Sequence, residues 1–241
     1  MPNGAQMIQA VVFDLDGLLV DSEPVWFRAR TEMFQRFGLV WTDTDQRTQM
    51  GVSTAMWAAY IEKKLQGRMS SEAIVKESLQ WMVSHYQAGE VPTKPGAREA
   101  LEYCAGRYKL AMASGSPKLL IHAALSGANW RHFFSEIVSS DEVRHGKPAP
   151  DVYLETMQRI GVAPTETVVV EDSGGGIIAG KAAGASVIAV PNPQMMPAPE
   201  ALRQADAVID SLFALPRAVD ELMAKSLPGG DVAHETREDR K

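Results

Sequence analysis

The feature that most constrains this chain is residues 8–23, I-Q-A-V-V-F-D-L-D-G-L-L-V-D-S-E, where an apolar run ends in two carboxylates two residues apart. The β-branched residues within 8–13 predict a strand buried on both faces. Strand side chains alternate, so Asp14 and Asp16 are expected to point to one side. Two like charges at the end of a buried strand raise each other's pKa unless a cation lies between them. Oxygen ligands of this kind suit Mg²⁺, which takes one or two protein carboxylates, a carbonyl, waters and a substrate phosphate. Gly17 supplies the turn out of the sheet. Taken alone, Asp-Leu-Asp-Gly also fits a plain acidic turn, so the reading depends on what stands at the other strand ends.

From Pro24 to about Gly89 the pattern is helical. Trp26, Ala29, Met33, Phe34 and Phe37 recur at three and four, with Gly38 as a stop. Two more helices are predicted, one capped by Ser53 or Thr54 and running to Lys64, one capped by Ser70 or Ser71 and running to Gln87. The aromatic residues Trp26, Phe34, Trp57, Tyr60, Trp81 and Tyr86 are read as this block's own core. Beyond Pro92, Pro95 and Gly96, helices alternate with strands at 109–113, 134–138, 167–170, 186–190 and 207–209. The helix predicted at 117–126 has Gly127 after its end.

Such alternation implies an α/β fold, a doubly wound parallel sheet with a Rossmann-like core. The strand at 8–13 must belong to that sheet, so the block is an inserted all-helical cap over the carboxyl ends of the strands. The expected division is a catalytic core of 1–20 and 93–225, a cap of 21–92 and a disordered tail of 226–241.

The other strand ends carry polar groups that packing does not call for. Ser114-Gly115-Ser116-Pro117 joins a strand to a helix start, where free N–H groups and the dipole favour an anion. Ser114 is read as a phosphate contact, and Ser116 as an N-cap before Pro117. Lys147, between Gly146 and Pro148, is expected in an extended segment, its ammonium facing phosphate oxygens. Glu171 and Asp172 end another strand and complete a Mg²⁺ site with Asp14 and Asp16. Gly174, Gly176 and Ala179 also fit a dinucleotide fingerprint. That reading is rejected because the next strand ends Ala189-Val190-Pro191 with no acid for a ribose.

With 24 Lys and Arg against 30 Asp and Glu, the net charge of −6 argues against nucleic acid or an anionic membrane as partner. The single Cys104, set on a helix face with Ala97, Ala100, Leu101 and Ala105, excludes an internal disulfide and is read as core. No signal peptide is recognised and no apolar run approaches ~20 residues. A cytoplasmic protein, monomeric or a weak homodimer, is therefore expected. No pair of histidines has zinc-ligand spacing, and His145 is read as surface.

Asp14-Leu15-Asp16-Gly17, Ser114, Lys147 and Glu171-Asp172-Ser173 resemble, in order, the four motifs of the haloacid dehalogenase superfamily. Residues 14–23, 147–153 and 171–184 are similar to the branch holding β-phosphoglucomutases and sugar-phosphate phosphatases. The resemblance implies that Asp14 attacks phosphorus and that Asp16 is acid and base, its backbone carbonyl binding Mg²⁺. It also implies that Asp172, with Glu171, completes the metal shell, while Ser114, Gly115 and Lys147 hold the phosphoryl group. The substrate implied is a small phosphorylated metabolite, probed first as a sugar phosphate. A β-phosphoglucomutase is the alternative. The mutases resembled here carry an Arg after a Gly-Val-Ser turn and a His in the cap, where this chain has Thr54 and Trp26. A non-enzymatic protein switched by phosphorylation of Asp14 is the reading from another class.

Overall fold

A computed structural model describes residues 7–49 and 54–226, so 1–6, 50–53 with the Gly-Val-Ser sequence, and the tail beyond 226 lie outside the described residues. The strand predicted at the start is β1 (Ala10–Phe13), with all four residues buried. It is joined by β2 (Lys109–Ser114), β3 (Glu136–Ser139), β4 (Thr167–Glu171), β5 (Ser186–Ala189) and β6 (Ala207–Val208). Every pairing is parallel, in the spatial order β3-β2-β1-β4-β5-β6. The strand order reverses between β1 and β4, and open α/β sheets bind ligands beyond the carboxyl ends at such a point.

Alternation along the strands divides the core between two faces. Val11 and Phe13 pack with Leu110, Met112, Val168 and Val170 beneath α5 (Ala97–Ala105), α6 (Lys118–Gly127) and α10 (Leu215–Ser226). Ala10 and Val12 pack with Ala111, Ala113 and Val169 beneath α7 (Asp151–Ile160) and α8 (Gly174–Ala182); the short α9 (Pro199–Leu202) lies against α8. Fully burying a Val, Leu or Phe side chain stabilises by roughly 1.5–3 kcal/mol, so the central strands hold the sheet's register firmly. The doubly wound parallel sheet is as expected. Cys104 is buried, and burial pushes its thiol up to about 12. No helix among the described residues is long and apolar enough to cross a membrane.

Between β1 and α5 the chain forms α1 (Glu23–Gln35), α2 (Asp43–Gln49), α3 (Thr54–Lys64) and α4 (Ser71–Gln87), the last capped by the Ser70 hydroxyl. The sequence pattern predicts three helices here and misses α2. Its residues, D-T-D-Q-R-T-Q, have no apolar period, and the side chains it buries are Asp45, Gln46 and Gln49. Hydrogen bonds replace apolar packing: Asp45 accepts from the Thr42 N–H at 3.0 Å, the Thr42 hydroxyl at 2.7 Å and the Tyr60 hydroxyl at 2.6 Å, and pairs with Lys64. Burial alone would raise the Asp45 pKa, but the bonds from Lys64, Tyr60 and Thr42 outweigh it and hold the carboxyl well below the usual range.

Phe34 and Trp57 lie in the insertion's own apolar cluster, with Tyr60 against it. Tyr86 lies in the sheet-side cluster and Trp81 packs against it, which corrects the expectation for those two, while Trp26 touches that cluster and also sets its ring 6.1 Å from that of Trp57. The start of α1 and the end of α4 are where the chain crosses between the two parts, so side chains there meet the sheet. Gly127 is likewise not a stop beyond a helix but the last residue of α6. A Cβ at that position would lie 2.2 Å from the Tyr86 carbonyl oxygen, so its lack of a side chain lets α4 rest on α6.

Because the folded Asp45 pKa is depressed, its contribution to stability is present above the unfolded value near ~4 and is lost as pH falls through the folded one. Asp45→Asn should lower stability by roughly 1–3 kcal/mol at neutral pH. In denaturant titrations followed by tryptophan fluorescence, the gap from wild type should shrink as pH is lowered from about 5 towards 3. A gap that does not change with pH would show that the carboxylate's charge is not responsible.

Candidate active site

Phe13 is paired with Met112 on one side and Val170 on the other, so Asp14 leaves the sheet between the ends of β2 and β4. Asp14 continues the α7-facing parity of Ala10 and Val12, as Glu171 continues that of Val169. Into this space the loop before α7 sends Lys147. Its Nζ donates to Asp14 Oδ1 at 2.6 Å, to Glu171 Oε1 at 2.6 Å and to the Ala113 carbonyl at 3.0 Å, with the side chain 11% exposed. The segment is a turn rather than extended chain: the Ala149 N–H donates to the Gly146 carbonyl at 3.0 Å across a cis Lys147–Pro148 bond. The flanking Gly and Pro are turn formers, which accounts for the difference.

Glu171 is fully buried and both its oxygens are engaged. Oε1 accepts from Lys147 and from the Tyr153 hydroxyl at 2.8 Å, while Oε2 accepts from the Asp172 and Ser173 N–H groups and the Ser173 hydroxyl, each at 3.0 Å. Gly176 makes the space, since a Cβ there would come within 1.7 Å of Glu171 Oε1. One of the glycines that mimic a dinucleotide fingerprint, Gly176, thus accommodates a carboxylate. Gly17 does the same for Asp172: with φ of +83° it makes the turn, and a Cβ would lie 2.1 Å from Asp172 Oδ2.

Asp14, Glu171 and Asp172 each offer a carboxylate oxygen, all within 4.8 Å of one another. Burial raises the Asp14 pKa to about 7, with Lys147 pulling it down and Glu171 and Asp16 adding to the rise. Asp172 is raised well above its ordinary value by burial, then by Glu171 and Asp14. Burial acts on Glu171 too, but the charge and hydrogen bond of Lys147 outweigh it and leave that carboxyl lowered. With all three carboxyls ionised, one ammonium leaves an excess of two negative charges, which one divalent cation would offset; the raised pKa values of Asp14 and Asp172 show that this state is disfavoured without such a cation. This oxygen-only donor set fits Mg²⁺.

Asp16 does not join the acid cluster through its side chain. The alternation that predicts a shared side with Asp14 holds only along extended chain, and β1 ends at Phe13. Asp16 Oδ1 accepts from the Ser22 hydroxyl at 2.7 Å and the Tyr86 hydroxyl at 3.4 Å, and Oδ2 from the Ser116 hydroxyl at 2.6 Å. Ser116 is therefore not an N-cap: α6 begins at Lys118, and Pro117 precedes it with no side-chain cap. The buried Ser114 Oγ accepts from the Ser116 N–H at 3.0 Å, which joins the Ser114-Gly115-Ser116 loop to Asp16. His145 stands apart, 3.1 Å from Asp151. Sequence reasoning missed Ser22, Ser116, Tyr86 and Tyr153 as site residues. Tyr153 lies in the Lys147–Tyr153 run and could have been suspected, whereas Tyr86 is 70 positions from Asp16 and carries no local signal.

Residues 11–190 match the family model of haloacid dehalogenase-like hydrolases. The chain belongs to that family. It is 33% identical over 178 residues to the phosphorylated carbohydrates phosphatase of Thermotoga maritima, covering 73% of this chain and 82% of that one. With hexitol phosphatase B of Escherichia coli K12 the identity is 31% over 230 residues, covering 93% and 98%. The crystal structure of β-phosphoglucomutase from Clostridium difficile shares the fold, with a TM-score of 0.74 at 23% identity over 91% of this chain and 98% of that one. This haloacid dehalogenase-like protein is an enzyme, a phosphoric monoester hydrolase.

Gly17→Ala should displace Asp172 from the loop after β1. Phosphate release from p-nitrophenyl phosphate should fall on the order of 10²-fold, the effect of a misplacement of about 1 Å, with a lower thermal midpoint. Unchanged turnover would show that Asp172 need not lie against that loop.

Proposed function

We propose that this enzyme hydrolyses a small phosphorylated metabolite, a sugar phosphate foremost, with Mg²⁺ as cofactor and an aspartyl-phosphate formed on Asp14. The observation that carries the reading is the buried cluster of Asp14, Glu171 and Asp172 around Lys147, with its excess of negative charge. The two phosphatase relatives support the sugar-phosphate class.

An Asp14 oxygen attacks phosphorus as the bond to the leaving oxygen breaks, and Asp16 donates its proton to that oxygen. Water then attacks phosphorus, Asp16 takes a proton from it, and the bond to Asp14 breaks to release phosphate. Lys147 offsets charge on the phosphoryl oxygens, and Ser114 with the Gly115 N–H holds them. Asp14, Asp172 and the Asp16 carbonyl would hold Mg²⁺, which neutralises further charge when bound. Glu171 we place behind Lys147 as its anchor, since Lys147, Tyr153, Asp172 and Ser173 already occupy its oxygens. Helices α1–α4 would act as the cap, with limits near 21 and 92.

The mutase reading rests on the shared fold. Trp26, where the mutases have a histidine, has its ring 6.1 Å from that of Trp57 and 5.1 Å from the Arg30 guanidinium. An aromatic group there favours hydrolysis over binding a second phosphate.

A panel of sugar phosphates, each tested with and without a sugar bisphosphate, should show phosphate release that needs no bisphosphate. Chelation should abolish it and Mg²⁺ restore it. Asp14→Asn should abolish turnover, and Asp16→Asn should lower kcat by roughly 10²–10⁴-fold. Turnover retained by Asp14→Asn, or isomerisation dependent on a bisphosphate, would overturn the reading.

A further inference from the structure

The carboxylate of Asp16 is held by three hydroxyl groups, and they come from different parts of the chain. Ser22 lies where the insertion begins, Ser116 in the loop after β2, and Tyr86 near the end of α4, in the insertion. An acid that first gives and later takes a proton must keep one orientation towards the leaving oxygen and then towards water. Ser22 and Ser116 bind opposite oxygens and define the carboxylate plane only along the line between them. Tyr86 adds a third point on Oδ1, the longest of the three contacts at 3.4 Å.

The placement of Tyr86 is itself determined by packing. Its side chain is 4% exposed within the sheet-side cluster, although it belongs to the insertion. Its carbonyl lies where a side chain on Gly127 would otherwise be, and Ala124 and Ala128 line the same groove. The seat on α6 therefore sets how far the phenol reaches.

We propose that Tyr86, seated on Gly127, is a positioning residue that orients Asp16 for proton transfer, so that the insertion supplies part of the acid–base apparatus. This rests on the reading of Asp16 as acid and base. Tyr86 exchanges no proton with substrate; its hydroxyl fixes the carboxylate that does.

The test uses leaving groups. A sugar phosphate leaves as an alkoxide and needs a proton, while p-nitrophenolate leaves readily without one. Tyr86→Phe keeps the ring and removes the hydroxyl. Its kcat/KM, which reports the transfer that expels the leaving group, should fall about tenfold more on a sugar phosphate than on p-nitrophenyl phosphate, about 1.4 kcal/mol of barrier. Gly127→Ala, which displaces α4, should show the same bias. Equal losses of kcat/KM on both substrates would overturn the role of Tyr86. Asp16→Asn serves as the reference: if it too lacks the bias, the assignment of Asp16 fails, and if it alone shows the bias, only the inference about Tyr86 fails.

Discussion

The ammonium of Lys147 is the interaction on which the rest of the site depends. It joins the ends of β1, β2 and β4 through Asp14, the Ala113 carbonyl and Glu171, all within 3.0 Å. Removing one partner of a buried ion pair costs about 3–5 kcal/mol, because the remaining charge is left uncompensated. Glu171 is the fixed side of this arrangement, held by Tyr153 and Ser173, and Lys147 also lies 4.8 Å from the centre of the Tyr153 ring. Asp14 is the other side, and there the compensation is incomplete. Asp172 adds a carboxyl without a cation of its own, its pKa raised by burial and by its acidic neighbours, which is why a divalent ion belongs in the account.

The strand ends were legible because buried β-branched runs that stop in carboxylates have few structural explanations. β1, β2 and β4 with Asp14, Lys147, Glu171 and Asp172 could be read from residue types and order. What was not legible came from contacts between distant residues. The α2 helix shows no apolar period because its inward groups are Asp45, Gln46 and Gln49, ordered by hydrogen bonds. Ser116 looks like a cap in sequence and is a partner of Asp16 in space. Gly127 looks like a helix stop and is a seat for Tyr86. In each case contacts between residues distant in sequence give the side chain, or its absence, a task that the local pattern does not show.

The helical insertion differs chemically from the sheet edge it joins. Around Arg30, buried and stacked near Trp26, Trp41 and Trp57, its polar groups form one chain: Arg30 Nη1 and Trp41 Nε1 both donate to Gln46 Oε1 at 2.9 Å, and Gln46 Nε2 donates to Glu23 at 2.7 Å. Glu23 follows Ser22, whose hydroxyl donates to Asp16, so this chain ends one residue from an Asp16 contact. The acid cluster and Lys147 thus lie at the carboxyl edge of the sheet, while the insertion brings its own polar chain and the Tyr86 hydroxyl beside Asp16.

The central claim is that Asp14 and Asp172 share one divalent ion facing Lys147. Its most direct test is anomalous diffraction from crystals of the wild-type enzyme soaked in Mn²⁺. The account predicts a single strong peak roughly 2.0–2.3 Å from a carboxylate oxygen of each of Asp14 and Asp172. A peak that touches neither residue, or no bound ion at saturating Mn²⁺, would contradict it.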